Sequence, residues 1–197
     1  MSVTISLIAA NVLVSLITLY AAPKLFEKFM MMPYRVVREK TWYELISSGF
    51  VHAGLGHLFL NMFVLFFFGL VLERSIGQGH LLALYFTGLI VSSLPSLYKH
   101  KDNTEFATVG ASGAVESVLF GYIVLFPLEP IYIMFIPIGI PAIIFGVLFL
   151  AYSVYASKSE GRINHEAHIA GAVWGLIYLI IFVPNTIDQF LTVFGLI

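Results

Sequence analysis

The sequence predicts an all-α membrane protein: six transmembrane helices in a single domain covering residues 1–197, with a partly embedded loop after helix 1. Three observations predict it. First, 59% of the residues are hydrophobic and 11% are charged, with a mean hydropathy of +0.95; soluble domains run at roughly 45–50% apolar and about 25% charged. Second, continuous apolar runs recur at lengths near the roughly 20 residues that a helix needs to cross a bilayer. Barrel strands would instead alternate over about ten residues. Third, no polar stretch is long enough for a separate soluble module. The net charge of -1 points to no nucleic-acid partner, and the absence of cysteine excludes thiol catalysis, disulfides and Cys-based metal sites.

The first span runs from Thr4 to Ala22. It has no basic segment before it and no clear small-residue cleavage pattern after it, so it reads as a retained helix and not a signal peptide. The second runs from Leu55 to Leu72 and stops at Glu73-Arg74; the third covers Leu81 to Tyr98. The fourth starts at Ser112 and ends before Pro127, and the fifth covers Ile131 to Ala156 with Pro137 and Pro141 in its first half. The sixth runs from His168 to Val183. The loop from Pro23 to Gly54 carries five Lys and Arg residues but also Phe26, Phe29, Trp42 and Tyr43, a composition suited to the membrane interface. Asn185 to Ile197 reads as a short apolar tail on the membrane surface.

Polar side chains inside such spans cost a few kcal/mol each by insertion scales, so their presence points to function. Gly110-Ala111-Ser112-Gly113 opens the fourth span, and Ala167-His168-Ile169-Ala170-Gly171 opens the sixth. The fourth span rises only about 21 Å from Ser112 to Phe126, against a core of roughly 30 Å, which sinks Ser112 below one surface. Irregular backbone at that depth needs protein or a water-filled cavity around it. His168, Gly171 and Gly175 share one face of the sixth span; Gly113, Ser117 and Gly121 share one face of the fourth. Small faces let helix axes approach closely, which would bring His168 to Ser112. Serine becomes a useful nucleophile when a base takes its proton, and histidine suits that role near neutral pH. His57 and Asn61, one turn apart on the second span, could donate hydrogen bonds to an oxyanion together with the Ala111 and Ser112 amides. Taken alone, Ser112 could be an ordinary helix cap, His168 a structural histidine, and His57 with Asn61 an interhelical tie. His80, His100 and His165 read as surface residues.

Together these residues resemble the rhomboid intramembrane serine proteases. The resemblance rests on His52-Ala53-Gly54-Leu55-Gly56-His57 through Asn61, on Glu73-Arg74 with Gly77, on Gly110 to Gly113, and on Ala167 to Gly171 with Gly175, in that order. It implies a six-helix bundle and a peptide hydrolase with a Ser112–His168 dyad that needs no metal or other cofactor. It implies an oxyanion hole involving His57, Asn61 and backbone amides, and structural roles near the site for His52, Gly110, Gly113, Gly171, Gly175, Glu73 and Arg74. Single-pass transmembrane proteins within the lipid bilayer are the implied substrates, the cell membrane the implied location, and the fifth span the implied gate to lipid.

The chain departs from the family pattern in three ways. Tyr43 and Glu44 occupy places where the family usually has Trp and Arg. Glu116 occupies the place of an aromatic residue four positions after the serine; it is either an acid that orients His168 or a protonated or paired structural carboxyl. All but Arg74 of the 10 Lys and Arg residues fall in loops on the serine's side, where the positive-inside rule expects cytoplasm. The resemblance implies the opposite, an extracytoplasmic site, and that is the orientation expected. Other classes fit less well. His165-Glu166-Ala167-His168 lacks the i, i+4 histidine spacing of zinc proteases. The only aspartates, Asp102 and Asp188, lie in a loop and the tail. A transporter would want more charge along a pathway. A catalytically inactive rhomboid-like factor that binds membrane proteins remains the alternative.

Overall fold

The computed structural model describes residues 2–133, 137–158 and 164–197. Helix α1 (Val3–Leu16) continues through a π turn to Ala21. The first loop folds into α2 (Pro23–Phe29), a π turn (Arg35–Glu39) and α3 (Glu44–Ser47). Helices α4 (Leu55–Val64) and α5 (Leu70–Ile76) run on as one stretch through a π turn, and α6 (Gln78–His100) follows after Gly77. Then come α7 (Ser112–Leu125), a short antiparallel hairpin of β1 (Pro130–Tyr132) and β2 (Gly139–Pro141), α8 (Ala142–Ala156), α9 (His165–Phe182) and α10 (Thr186–Val193). Among the described residues, four helical stretches are long and apolar enough to cross a membrane: Val3–Ala21, Leu55–Ile76, Gln78–His100 and His165–Phe182. Two more apolar helices, α7 and α8, are shorter.

The expected fifth span needs correction. Helix α8 begins only at Ala142, and the strands β1 and β2, which pair Ile131 with Ile140, precede it in an otherwise mostly helical chain. Proline explains the shift: Pro137 and Pro141 lack the amide that a helix interior requires, whereas Pro141 fits directly before a first turn. Residues 134–136 of that expected span, and the loop cation Arg162, lie outside the described residues.

The interior combines an apolar core, built around residues such as Leu65, Leu84 and Leu179, with buried polar side chains, while the outer surface is apolar. On α1 the buried positions include Thr4, Asn11, Ser15 and Thr18, while Leu13, Leu16 and Tyr20 face outward. Asn11 Nδ2 donates to the Tyr85 hydroxyl of α6 at 2.9 Å. The outer face of α8 likewise exposes Ile144, Val147 and Leu148.

Helices α7 and α9 meet backbone to backbone. A methyl group added to Gly171 would stand 2.2 Å from the Gly113 carbonyl oxygen, and one added to Gly175 would stand 2.3 Å from that of Ser117. Backbones at this distance leave no room for a Cβ, as expected of small-residue faces in membranes. Ser117 sits in the seam, its hydroxyl 2.9 Å from the Gly113 carbonyl of its own helix and 2.8 Å from the Gly171 carbonyl of α9. Helix α6 closes the third side: an added methyl on Gly113 would strike Ser92.

The first loop is anchored by an inverted charge. Glu44, fully buried, pairs with Arg35 Nε at 3.0 Å and accepts the Met32 amide at 2.8 Å. Arg35 also donates to the Glu27 and Met30 carbonyls, each at 3.0 Å. Met31 then exchanges a pair of backbone hydrogen bonds with Thr108, and the Gly110 amide donates to the Ser48 carbonyl at 2.9 Å. The loop thereby holds the segment that leads into α7. Trp42 and Tyr43 remain about half exposed, as suits residues at an interface.

Two stability measurements follow, by thermal or denaturant unfolding in detergent micelles. Gly175→Ala should cost about 2 kcal/mol through overpacking of the α7–α9 seam, while Gly56→Ala, with open space around its Cβ, should be neutral or gain up to about 1 kcal/mol. Arg35→Gln should cost about 3 kcal/mol because it strands a buried carboxylate; the double variant with Glu44→Gln should recover part of that loss.

Candidate active site

Three helix N-termini converge on the end of the bundle that carries the sequence-predicted residues. Ser112 is the first residue of α7 and is half-buried. The first amides of a helix have no intrahelical acceptor, so the Ser112 amide is available at this mouth. Gly110, two residues earlier, has φ +110°, a conformation that side chains rarely adopt. The His57 ring packs directly on it: a methyl at Gly110 would lie 2.4 Å from His57 Cε1. Backbone conformation and close approach therefore both demand glycine here.

His168 lies in the first turn of α9, which the sequence caps at Asn164. The Asn164 Oδ1 accepts the Ala167 amide at 3.1 Å, while its Nδ2 donates to Ser96 Oγ of α6 at 2.7 Å. Lys99 and Glu166 add an ion pair at 2.6 Å between the same helices; at that exposure it is worth little, about 0–1 kcal/mol. The His168 ring lies parallel to Phe149 of α8, with centroids 6.4 Å apart and planes within 6°. Its Nδ1 is 3.9 Å from Glu116 Oε1. Ser112 and His168 are thus brought to the same mouth, each beside a residue of the tight α7–α9 contact: an added Cβ at Gly113 would be 3.7 Å from the Ala167 carbonyl. Their side chains do not hydrogen-bond in this structure, and such contacts are often long before substrate binds.

Across the mouth stand His57 and the buried Asn61 of α4. Asn61 Nδ2 donates to the His57 carbonyl at 2.9 Å, which leaves a second N–H on that amide. Behind them, His52 is fully buried and lies edge-on to His57, with centroids 5.1 Å apart. Burial first, and the neighbouring His57 second, hold His52 down at about 3, so it stays neutral. Its contacts fix the tautomer. The Ala111 amide reaches Nε2 at 3.4 Å, so Nδ1 carries the proton toward Ser15 Oγ at 2.9 Å, and Ser15 donates on to the Phe50 carbonyl at 3.0 Å. The Ala111 amide, expected to face an oxyanion, is therefore turned toward His52.

Two expectations need revision. Glu73 and Arg74 are not near this mouth; they lie at the far end of the α4–α5 stretch, about 27 Å along the helix from Leu55. There Glu73 accepts the Val3 and Thr4 amides and the Ser2 and Thr4 hydroxyls, capping α1. His165 is not a surface residue either: it is half-buried, 6.1 Å from His168 and edge-on to Tyr152. Sequence reading passed over Ser15, Asn164 and Phe149. Asn164 carried a signal, standing at N-cap spacing before an apolar run. Ser15 carried a weaker one, a polar residue four after Asn11 within a span.

The profile of the Rhomboid domain family matches residues 39–185, well over half of the chain. The chain is similar to RHOMBOID-like protein 12, mitochondrial, of Arabidopsis thaliana, with 31% identity over 144 residues, 65% of this chain and 43% of that protein. It is similar to Rhomboid protein 1, mitochondrial, of Saccharomyces cerevisiae, with 30% identity over 173 residues, 84% of this chain and 49% of that protein. It also resembles the putative rhomboid protease YdcA of Bacillus subtilis, with 31% identity over 139 residues, 69% of this chain and 65% of that protein. The chain spans less than half the length of the first two relatives. Apolar helices long enough to cross a membrane, joined to a match over this length, establish that the chain belongs to the rhomboid family of multi-pass membrane proteins.

Proposed function

We propose that this protein is an intramembrane serine endopeptidase that hydrolyses peptide bonds in or near the transmembrane segments of membrane-protein substrates. The single observation that carries the reading is the α7–α9 backbone contact, which sets Ser112 and His168 at the same end of two packed helices, with His57 packed on Gly110. Membership of a family that includes intramembrane serine proteases supports it.

In this reading α7 and α8 cross the membrane together with the four longer stretches, making six spans. Helix α7 has 14 residues and covers about 21 Å of a core of roughly 30 Å, so the serine works below the membrane surface. His168 takes the proton of the Ser112 hydroxyl as Oγ attacks the scissile carbonyl. The negative oxygen of the tetrahedral intermediate meets the Ser112 amide, the free N–H of Asn61 and His57. His168 then returns the proton to the departing amine, and water releases the acyl group by the same steps in reverse roles. Substrates are single-pass membrane proteins arriving from the bilayer.

The test is cleavage of a generic single-span substrate by purified protein in liposomes. Ser112→Ala and His168→Ala should each lower kcat at least about 10³-fold, and Asn61→Ala about 10²-fold. A serine-reactive phosphonate should label the wild type but not Ser112→Ala. Cleavage that survives Ser112→Ala would overturn the reading. A wild type that neither cleaves nor takes the label would leave a non-catalytic binder of membrane proteins.

A further inference from the structure

Glu116 lies one helical turn beyond Ser112 on α7, where its side chain is 11% exposed. Its Oε1 stands 3.9 Å from His168 Nδ1, while Oε2 is buried and accepts no hydrogen bond among the described residues. No Lys or Arg pairs with it among those residues. The other titratable side chains at this end of the helices around α7 have their own neighbours. His57 of α4 lies on Gly110 and His52; His165 of α9 meets Tyr152 of α8; Glu166 of α9 is held by Lys99 of α6. A carboxyl group placed this way has no cation beside it among the described residues until His168 becomes one.

We propose that Glu116 is a positioning residue for His168, extending the Ser112–His168 pair to a third member. This rests on the protease reading above. Neutral His168 carries its proton on Nδ1, toward Glu116, which leaves the Nε2 lone pair for the Ser112 hydroxyl. When Nε2 takes the serine proton, the imidazolium and the carboxylate attract where both side chains are largely buried, and opposite charges act more strongly there than in bulk solvent. The 3.9 Å gap exceeds a hydrogen bond and closes as that charge forms. No proton passes to Glu116: the one taken from Ser112 Oγ stays on His168 until the leaving amine receives it.

The experiment measures kcat and KM against pH for the wild type and Glu116→Gln in liposomes, with melting temperature as the folding control. A carboxylate neighbour favours protonated histidine, so its loss should move the acid limb of kcat/KM to lower pH. The kcat should fall at least tenfold while KM stays within twofold. An unchanged kcat with an unshifted acid limb, in a wild type whose cleavage depends on Ser112, overturns the positioning role alone. A wild type without Ser112-dependent cleavage overturns the protease reading itself. Should Glu116→Gln fail to fold, nitrogen-15 NMR of histidine-labelled wild type in micelles decides, with the His168 signal assigned by its loss in His168→Gln. Protonation on Nδ1 above the acid limb is expected; protonation on Nε2 overturns the proposal.

Discussion

The contact between the α7 and α9 backbones is the constraint on which the candidate site depends. Ser112 and His168 belong to different helices and lie 56 positions apart in the chain, so only the packing of those helices relates them. Gly171 meets Gly113 and Gly175 meets Ser117 with no space for a side chain between them. Two contacts one turn apart fix separation and rotation together, because sliding either helix would drive a carbonyl into a Cα. The Ser117 bridge to the Gly171 carbonyl adds direction to the contact. Interhelical hydrogen bonds in membranes average about 0.6 kcal/mol, so close packing of the seam contributes more stability, and the hydrogen bond specifies register.

A second chain of contacts sets the backbone just before Ser112. Glu44 and Arg35 hold the first loop; Met31 pairs with Thr108; Ser48 takes the Gly110 amide; His52 faces the Ala111 amide. Each link is polar and most are buried, which suits a site that needs water near a lipid environment. At Glu44 the anchor is a buried acid paired with Arg35. This acid accepts a loop amide and pairs ionically with an arginine side chain.

Much of this was legible in the sequence, and the physical reasons for the remainder differ. Hydropathy located the helices because length and apolarity alone decide whether a segment crosses a bilayer. It placed the fifth too early because it measures apolarity and does not register the missing amides of Pro137 and Pro141. The pairing of α7 with α9 was readable because glycine and serine at three- and four-residue spacing mark a close face before any partner is known. Glu44 with Arg35 was not, since a buried ion pair looks the same in sequence as two solvated charges. The partners of His52 and Glu73 were hidden for another reason: Ser15 and Ser2 lie 37 and 71 positions away. No local pattern reports such a contact.

Those last two contacts assign α1 a role that its sequence, read as an ordinary first span, does not announce. Its N-terminus is capped by Glu73 at the C-terminal end of the α4–α5 stretch, and Ser15, near its other end, supports His52 just before that stretch begins. Thr4 and Ser15 are 11 residues apart, about 16 Å along the helix axis. Helix α1 therefore runs antiparallel to α4–α5 as a strut tied near both ends, with Asn11 bonded to Tyr85 of α6 between them. A carboxylate at a helix N-terminus satisfies amides that lipid could not, so the tie at Glu73 is hard to exchange for another. The cap and the candidate site lie at opposite ends of the bundle, and α1 bridges them through Glu73 at one end and, at the other, through Ser15 and the His52 ring that faces the Ala111 amide.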